Sequence, residues 1–402
     1  MKQLKIFVGS ILFILSATRL SAQNKIRFTE IGYLQALEQS RMLQKPLCFM
    51  CYATWCTHCN KMKQHVFTDS TVADYYNTHF VCVAQDMEKG EGVALHKEFK
   101  IKSYPSFIFF DSSGTILFRT AGEFLPADFI QEGANALDPK KNLSYLQQQF
   151  EKNVTASEKT YEYLRVLNKA DLDYSAMLQK YFATQTEQQL LSEVNWRIIA
   201  NGVHDIHSTE FQFVLRHQKE YSDLASPERV NKKIVYTYKE LLNPLADAND
   251  TVAYALRRSE AAAIHHPSVD SLIFTYDIQL AEKNNHWDSY KKITLQHVEA
   301  YVWNNYALLK SISGNYLKQI SDKPSLQKAI EWAQRSLALQ EEYDTYILCA
   351  RLFMKIFDIH SAIQMAQKGK DLAIKYGWGH AEADQLISSL AKSPKGKKDP
   401  ER

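Results

Sequence analysis

Trp55-Cys56-Thr57-His58-Cys59 is the stretch of this sequence best equipped for chemistry. Two thiols at this spacing are close enough to form or break a disulfide, and a thiolate is the attacking species in such an exchange. Whether they can work as a pair depends on the backbone between them. Before the motif, Pro46 to Ala53 is short, apolar and flanked by breakers, which reads as a buried strand. After it, Met62 and Val66 recur at helical intervals among Asn60, Lys61 and Lys63. Cys56 is therefore expected at a helix N-terminus and exposed, with Cys59 one turn inside. The partial positive charge and unpaired amides of a helix start favour the first cysteine's thiolate.

A metal reading competes, because Cys48-x-x-Cys51 precedes Cys56-x-x-Cys59 and zinc accepts four cysteines. On a strand, however, residues three apart face opposite sides of the sheet, so Cys48 and Cys51 cannot both turn to one ion. Cys48, Cys51, Cys82 and Cys349 read better as small buried apolar groups. His65, His79 and His96 have no ligand-like spacing, and no paired-carboxylate or Ser-His-Asp pattern stands out.

The elements that would hold the motif follow in a mixed helix and strand order. Lys25 to Phe28 is expected as a short edge strand, followed by a helix to about Met42 carrying Ile31, Leu34 and Leu37 on one side. Beyond the motif come a helix from Ser70 to Asn77, a central strand from Phe80 to Asp86, and a helix from Gly92 to Phe99. Ser106 to Phe110 is a strand entered through Tyr104-Pro105. A turn at Ser112-Ser113-Gly114 leads to a return strand, Thr115 to Thr120, and Pro126 to Leu137 closes with a helix.

Asp138-Pro139-Lys140-Lys141-Asn142 then reads as a linker, and the texture changes. Strand signals disappear from residue 143 onward, and amphipathic runs succeed one another: Leu143 to Lys152, Glu158 to Asn168, Tyr174 to Ala183, Glu187 to Asn201, Glu210 to Tyr221 and Glu228 to Leu242. Further on, Ala329-Ile330-Glu331-Trp332-Ala333-Gln334 recurs 33 residues later as Ala362-Ile363-Gln364-Met365-Ala366-Gln367. Leu339 to Ile359 has room for a second helix between them. That period resembles tetratricopeptide-type helix pairs, with an irregular helical bundle as the alternative.

With 402 residues and 45% hydrophobic content the chain can build more than one sizeable core. A formal charge of +3, with no basic stripe, gives no reason to expect nucleic acid as a partner. Residues 1–22 carry a basic start, an apolar run from Ile6 to Ala17 and Leu20-Ser21-Ala22 before Gln23, the pattern of a secretory signal peptide. No later segment has membrane-spanning length, so no membrane span is expected once that signal is removed. A periplasmic or secreted location follows, where disulfides persist. Residues 393–402, rich in Lys, Pro and Gly, read as a disordered tail.

Taken together, Trp55-Cys56-Thr57-His58-Cys59, His65 to Asp69, Phe80 to Asp86, and Ile101 to Asp111 with its Tyr104-Pro105-Ser106 resemble the thioredoxin superfamily. The order is similar to the C-terminal domain of periplasmic thiol:disulfide interchange proteins. The resemblance implies an α/β thioredoxin fold, a central mixed sheet flanked by helices, over residues 24–138, with residues 143–392 forming an all-α, helical-repeat-like domain. It further implies a thiol–disulfide oxidoreductase acting on protein thiols and disulfides. Cys56 would be the nucleophile, Cys59 the resolving thiol, and His58 would tune the pair. Trp55, Tyr104 and Pro105, the last as a cis-proline, would meet the substrate. No metal or organic cofactor is implied, because the Cys56–Cys59 disulfide is the carrier, and the helical domain would bind a protein partner. In many relatives a buried acid lies six residues before the nucleophile, with a lysine beside it. Here Met50 holds that position, Gln85 is the nearest candidate to replace the lysine, and Asp86, a possible substitute for the acid, reads better as a solvated structural carboxylate at a strand end. The rival reading is an interaction scaffold with a thioredoxin-like module of little turnover.

Overall fold

The computed structural model describes residues 25–391. The expected signal peptide, residues 1–22, and the expected disordered tail, residues 393–402, lie outside the described residues. The chain divides into two compact units, Met1–Val203 and His204–Arg402.

The first unit is built on a four-stranded sheet in the order β2-β1-β3-β4. The strands are β1 (Leu47–Tyr52), β2 (Val81–Asp86), β3 (Ser106–Phe110) and β4 (Ile116–Ala121). β1 runs parallel to β2 and antiparallel to β3, and β3 pairs antiparallel with β4. Around it lie α1 (Tyr33–Leu43), α2 (Thr57–Lys61), α3 (Ser70–His79), α4 (Gly92–Glu98) and α5 (Pro126–Leu137). An unbroken apolar run suits β1 because helices cover both faces of the sheet. Alternate residues then serve two cores. On one face Cys48, Met50, Phe107 and Phe109 pack with Cys59, Met62, Tyr76 and Phe129 from the helices. On the other, Leu47, Phe49, Cys51, Ile108 and Phe110 pack with Leu37, Leu95 and Phe99. Tyr76 stacks on Phe129 with centroids 4.3 Å apart, and its hydroxyl donates to the Phe129 carbonyl at 2.8 Å.

Two features differ from the expected strand layout. Residues 25–28 form no strand; Thr29 makes an isolated bridge to Val83, and the Ile26 amide donates instead to the Phe67 carbonyl. Phe80 to Asp86 was expected to be central, yet β2 is the outermost strand of the sheet. Its apolar texture comes from helix packing on both faces rather than from strands on both sides. Gly92 is required by close approach: a Cβ there would lie 2.0 Å from the Asp86 carbonyl oxygen. Arg119 on β4 is buried and donates to the carbonyls of Phe99 and Lys100, so a guanidinium closes the C-terminal end of α4.

The segment 138–142 tightens into a 3-10 turn, Pro139–Lys141, and leads into α6 (Leu143–Lys152), α7 (Ser157–Lys169), α8 (Ser175–Phe182), α9 (Glu187–Leu190) and α10 (Glu193–Gly202), all within the first unit. Glu187 to Asn201, expected as one helix, is two. The Ser192 side chain accepts from the Asn195 amide at 3.4 Å and starts the second piece.

The second unit contains only helices among the described residues. Glu210 to Tyr221 is again two pieces, α11 (Thr209–Arg216) and α12 (Gln218–Leu224), broken at His217. The chain continues through α13 (Pro227–Asp247), α14 (Thr251–Ala262), α15 (Pro267–Lys283), α16 (Trp287–Tyr301) and α17 (Tyr306–Gln319). The two halves of the internal repeat fall on α18 (Lys323–Leu339) and α20 (Ile359–Tyr376), with α19 (Tyr343–Lys355) between them and α21 (Ala381–Ala391) after. Ala329, Ala333, Ala362 and Ala366 are all buried, so the repeated alanines are the points where neighbouring helices come close. No helix among the described residues is long and apolar enough to cross a membrane.

Candidate active site

β1 ends at Tyr52 and α2 begins at Thr57, which leaves Ala53 to Cys56 to turn the chain. Cys56 caps α2 with extended backbone, φ −68° and ψ 109°, and its sulfur accepts the Cys59 amide at 3.1 Å. Cys56 and Cys59 are joined as a disulfide, their Cα atoms 5.3 Å apart. After one turn the helix loosens into a π-helical stretch, Met62–Val66. Cys59 is fully buried, and Cys56, expected to be exposed, is only 3% exposed. A helix start fixes where the first sulfur lies, but here Cys56 packs into the same apolar cluster as Cys59, Met50 and Met62.

Trp55 is the exposed group at this site, 67% open to solvent. It is nevertheless tethered: its indole N–H donates to Glu88 at 2.8 Å, and its ring meets Tyr104 edge-on, centroids 6.0 Å apart. The Tyr104–Pro105 peptide is cis, and Pro105 is buried. The Pro105 carbonyl accepts the Gly122 amide at 2.8 Å. Gly122 has φ +109°, a conformation that side chains rarely tolerate, and it swings the chain after β4 towards α2. The Phe124 amide then donates to the Met62 sulfur at 3.2 Å. Between these two anchors, Glu123 reaches the His58 Nδ1 at 2.6 Å and lies 3.6 Å from Lys61 Nζ. These contacts hold the Glu123 carboxyl below the usual carboxylate range, the His58 hydrogen bond foremost.

The geometry thus brings Trp55, Cys56, His58 and Cys59 together on one turn and its entry, with Tyr104 touching Trp55. Glu88 and Glu123 join them, and neither was singled out in the sequence. They lie 33 and 65 residues from their partners, on segments with no local pattern of their own.

The positions flanking the pair need two corrections. Met50 is fully buried on the cysteine side of the sheet, but its partner on β2 is Ala84. Gln85 pairs with Cys51 and therefore belongs to the opposite face, so it cannot stand in for a lysine beside Met50. Asp86, expected to be solvated, is buried: its side chain is 10% exposed and 3.2 Å from Lys89 Nζ. Lys63 covers the Tyr52 ring at 3.7 Å, and burial lowers its pKa from the ordinary lysine value.

The remaining thiols are free and buried. Cys48 lies in the Met50 core and Cys51 in the opposite one, as strand alternation requires. Burial pushes both thiols well up, and pushes Cys349 up to about 12. Among the described residues no group of three or more His, Cys, Asp or Glu side chains is arranged to hold a metal ion.

Residues 33–136 match the model of the thioredoxin-like domain. Over 102 residues, 23% of this chain, the sequence is 26% identical to the disulfide bond reductase DsbH of Chlamydia pneumoniae. Over 123 residues, 29% of this chain, it is 28% identical to the thiol:disulfide interchange protein DsbD of Yersinia pestis. The matches span 61% of the first protein's length and 21% of the second's. A solved structure of a candidate disulphide-isomerase from Bacteroides thetaiotaomicron is 37% identical, covering 28% of this chain and 94% of that one, with a TM-score of 0.27. Residues 33–136, with their sheet order and cysteine pair, form a thioredoxin-like domain.

Proposed function

We propose that this protein is an exported thiol–disulfide oxidoreductase that exchanges disulfides with protein substrates through Cys56 and Cys59. The observation that carries the reading is the Cys56 sulfur at the N-cap of α2, accepting the Cys59 amide. In the dithiol state that amide and the helix start favour the thiolate. The Cys56 thiolate attacks one sulfur of a substrate disulfide, forming a mixed disulfide and releasing the other substrate sulfur as thiolate. Cys59, losing its proton, then attacks Cys56; the second substrate thiolate leaves, and the pair is oxidised by the two electrons the substrate has gained. The same steps run backwards donate a disulfide. No metal or organic carrier enters.

In this reading Trp55, Tyr104 and Pro105 receive an extended substrate segment, and His58 tunes the pair. Residues 24–138 carry the chemistry. Residues 143–392, with their tetratricopeptide-like helix pairs, bind a protein partner. The reductase and interchange names of the relatives support this class of reaction. The leader-like residues 1–22 support a periplasmic or secreted location.

The test is a trapping experiment. Cys59→Ser protein mixed with a disulfide-containing polypeptide accumulates a mixed disulfide at Cys56, whereas Cys56→Ala does not. If Cys56→Ala protein retains full biological activity, the chain is an interaction scaffold instead.

A further inference from the structure

His58 stands inside the cysteine pair, where a positive imidazole would ordinarily favour the Cys56 thiolate and make the disulfide easier to reduce. In this protein the ring is already engaged. Its Nδ1 meets Glu123 Oε2 at 2.6 Å, within hydrogen-bond distance. Glu123 is not a wandering surface acid. Gly122 is hooked to the Pro105 carbonyl and Phe124 to the Met62 sulfur, so the residue between them is fixed from both sides. His58 is the nearest charged partner of Glu123, with Lys61 second. Lys169 is paired with Glu132, whereas Lys61 lies farther from Glu123, at 3.6 Å. Asp128, Lys141 and Arg165 line the neighbouring cavity, which Glu123 borders.

Resting on the proposed exchange reaction, we infer that Glu123 is a positioning residue that sets the redox poise of the Cys56–Cys59 pair through His58. With Nδ1 donating to the carboxylate, that nitrogen is unavailable to the Cys56 sulfur, and a fixed anion stands beside the ring. The dithiol loses the help that histidine would otherwise give it. The couple is therefore more reducing than a free Thr-His dipeptide would make it, a poise suited to delivering electrons to substrate disulfides rather than removing them. Glu123 touches neither sulfur. Because the same loop is bonded to Pro105, the poise is coupled in space to the segment proposed to receive substrate.

The experiment equilibrates the full chain with reduced and oxidised glutathione at pH 7 and reads the dithiol fraction by thiol trapping. Glu123→Gln is expected to raise the equilibrium constant for reduction about threefold to tenfold, roughly 15 to 30 mV for a two-electron couple. Glu123→Asp, which keeps the charge on a shorter arm, is expected to give a smaller shift in the same direction. In a His58→Gln background, Glu123→Gln is expected to move the constant by less than about 1.5-fold, as a residue acting through another must. An unchanged or lowered constant in the single variant, or an equal shift in both backgrounds, overturns the inference while leaving the exchange reaction intact. A wild-type pair that does not cycle at all overturns both.

Discussion

Cys48-x-x-Cys51 and Cys56-x-x-Cys59 have the same spacing and begin eight residues apart, yet they have opposite fates. The second pair spans a helix start, where residues three apart share a face, and its sulfurs are joined. The first lies on β1, where residues three apart point to opposite cores, and its thiols are free and buried. Spacing alone therefore does not make a redox pair; the period of the backbone beneath it does. Both pairs are buried, but Cys48 and Cys51 have no helix start beside them, and burial holds them as neutral thiols.

The largest effect that could break this comparison is on activity. Cys56→Ser is expected to lower the rate of disulfide exchange ~100-fold or more, because the attacking thiolate is gone. Cys48→Ala and Cys51→Ala are expected to keep the rate within about twofold. Comparable losses at the strand pair would show that the two sites work together. Next in size is chemical reactivity. In the reduced native protein at pH 8, Cys56 should be alkylated at least ~10-fold faster than Cys48 or Cys51, which carry raised pKa values and lie under the helices. Raising the pH to 9 should leave the two strand cysteines protonated and slow, since both pKa values stay above that range. Unfolding should erase the difference.

The smallest effect is on stability, and it runs the other way. Cys51→Ser, which places a hydroxyl in an apolar core, should cost about 1 to 3 kcal/mol in urea unfolding. A Thr57→Ser change at the exposed start of α2 should cost less than about 0.5 kcal/mol. The strand pair would then matter for folding and the helix pair for exchange.

The difference between the pairs was legible in the sequence because an apolar, β-rich run and a helical interval are local patterns. For the same reason β1, β3, α5 and the alanines repeated in α18 and α20 could be read directly. What was not legible depends on register or on distant segments. Gln85 was matched with Met50, but a shift of one residue on β2 sends a side chain to the other face, and nothing local fixes that register. β2 could not be recognised as outermost, since helix packing makes an edge strand as apolar as an inner one. Breaks in long amphipathic runs were hidden because hydrophobic spacing continues across Leu191 and His217 while the backbone does not. Glu88 and Glu123 carry no signal at all until folding brings them to Trp55 and His58. Cys56 was placed correctly at its helix start, but its burial depends on packing that a one-dimensional pattern does not contain.

The most direct test of the account takes the full chain through a series of glutathione buffers, from oxidising to reducing. Exchange is quenched with acid at each step, free thiols are blocked after unfolding, and every cysteine is assigned by site-resolved mass spectrometry. The account predicts that Cys56 and Cys59 pass together from unlabelled to accessible or trappable thiols over one two-electron transition, while Cys48, Cys51, Cys82 and Cys349 stay unchanged. A pair that stays in one state throughout, or a transition involving Cys48 or Cys51, would contradict it.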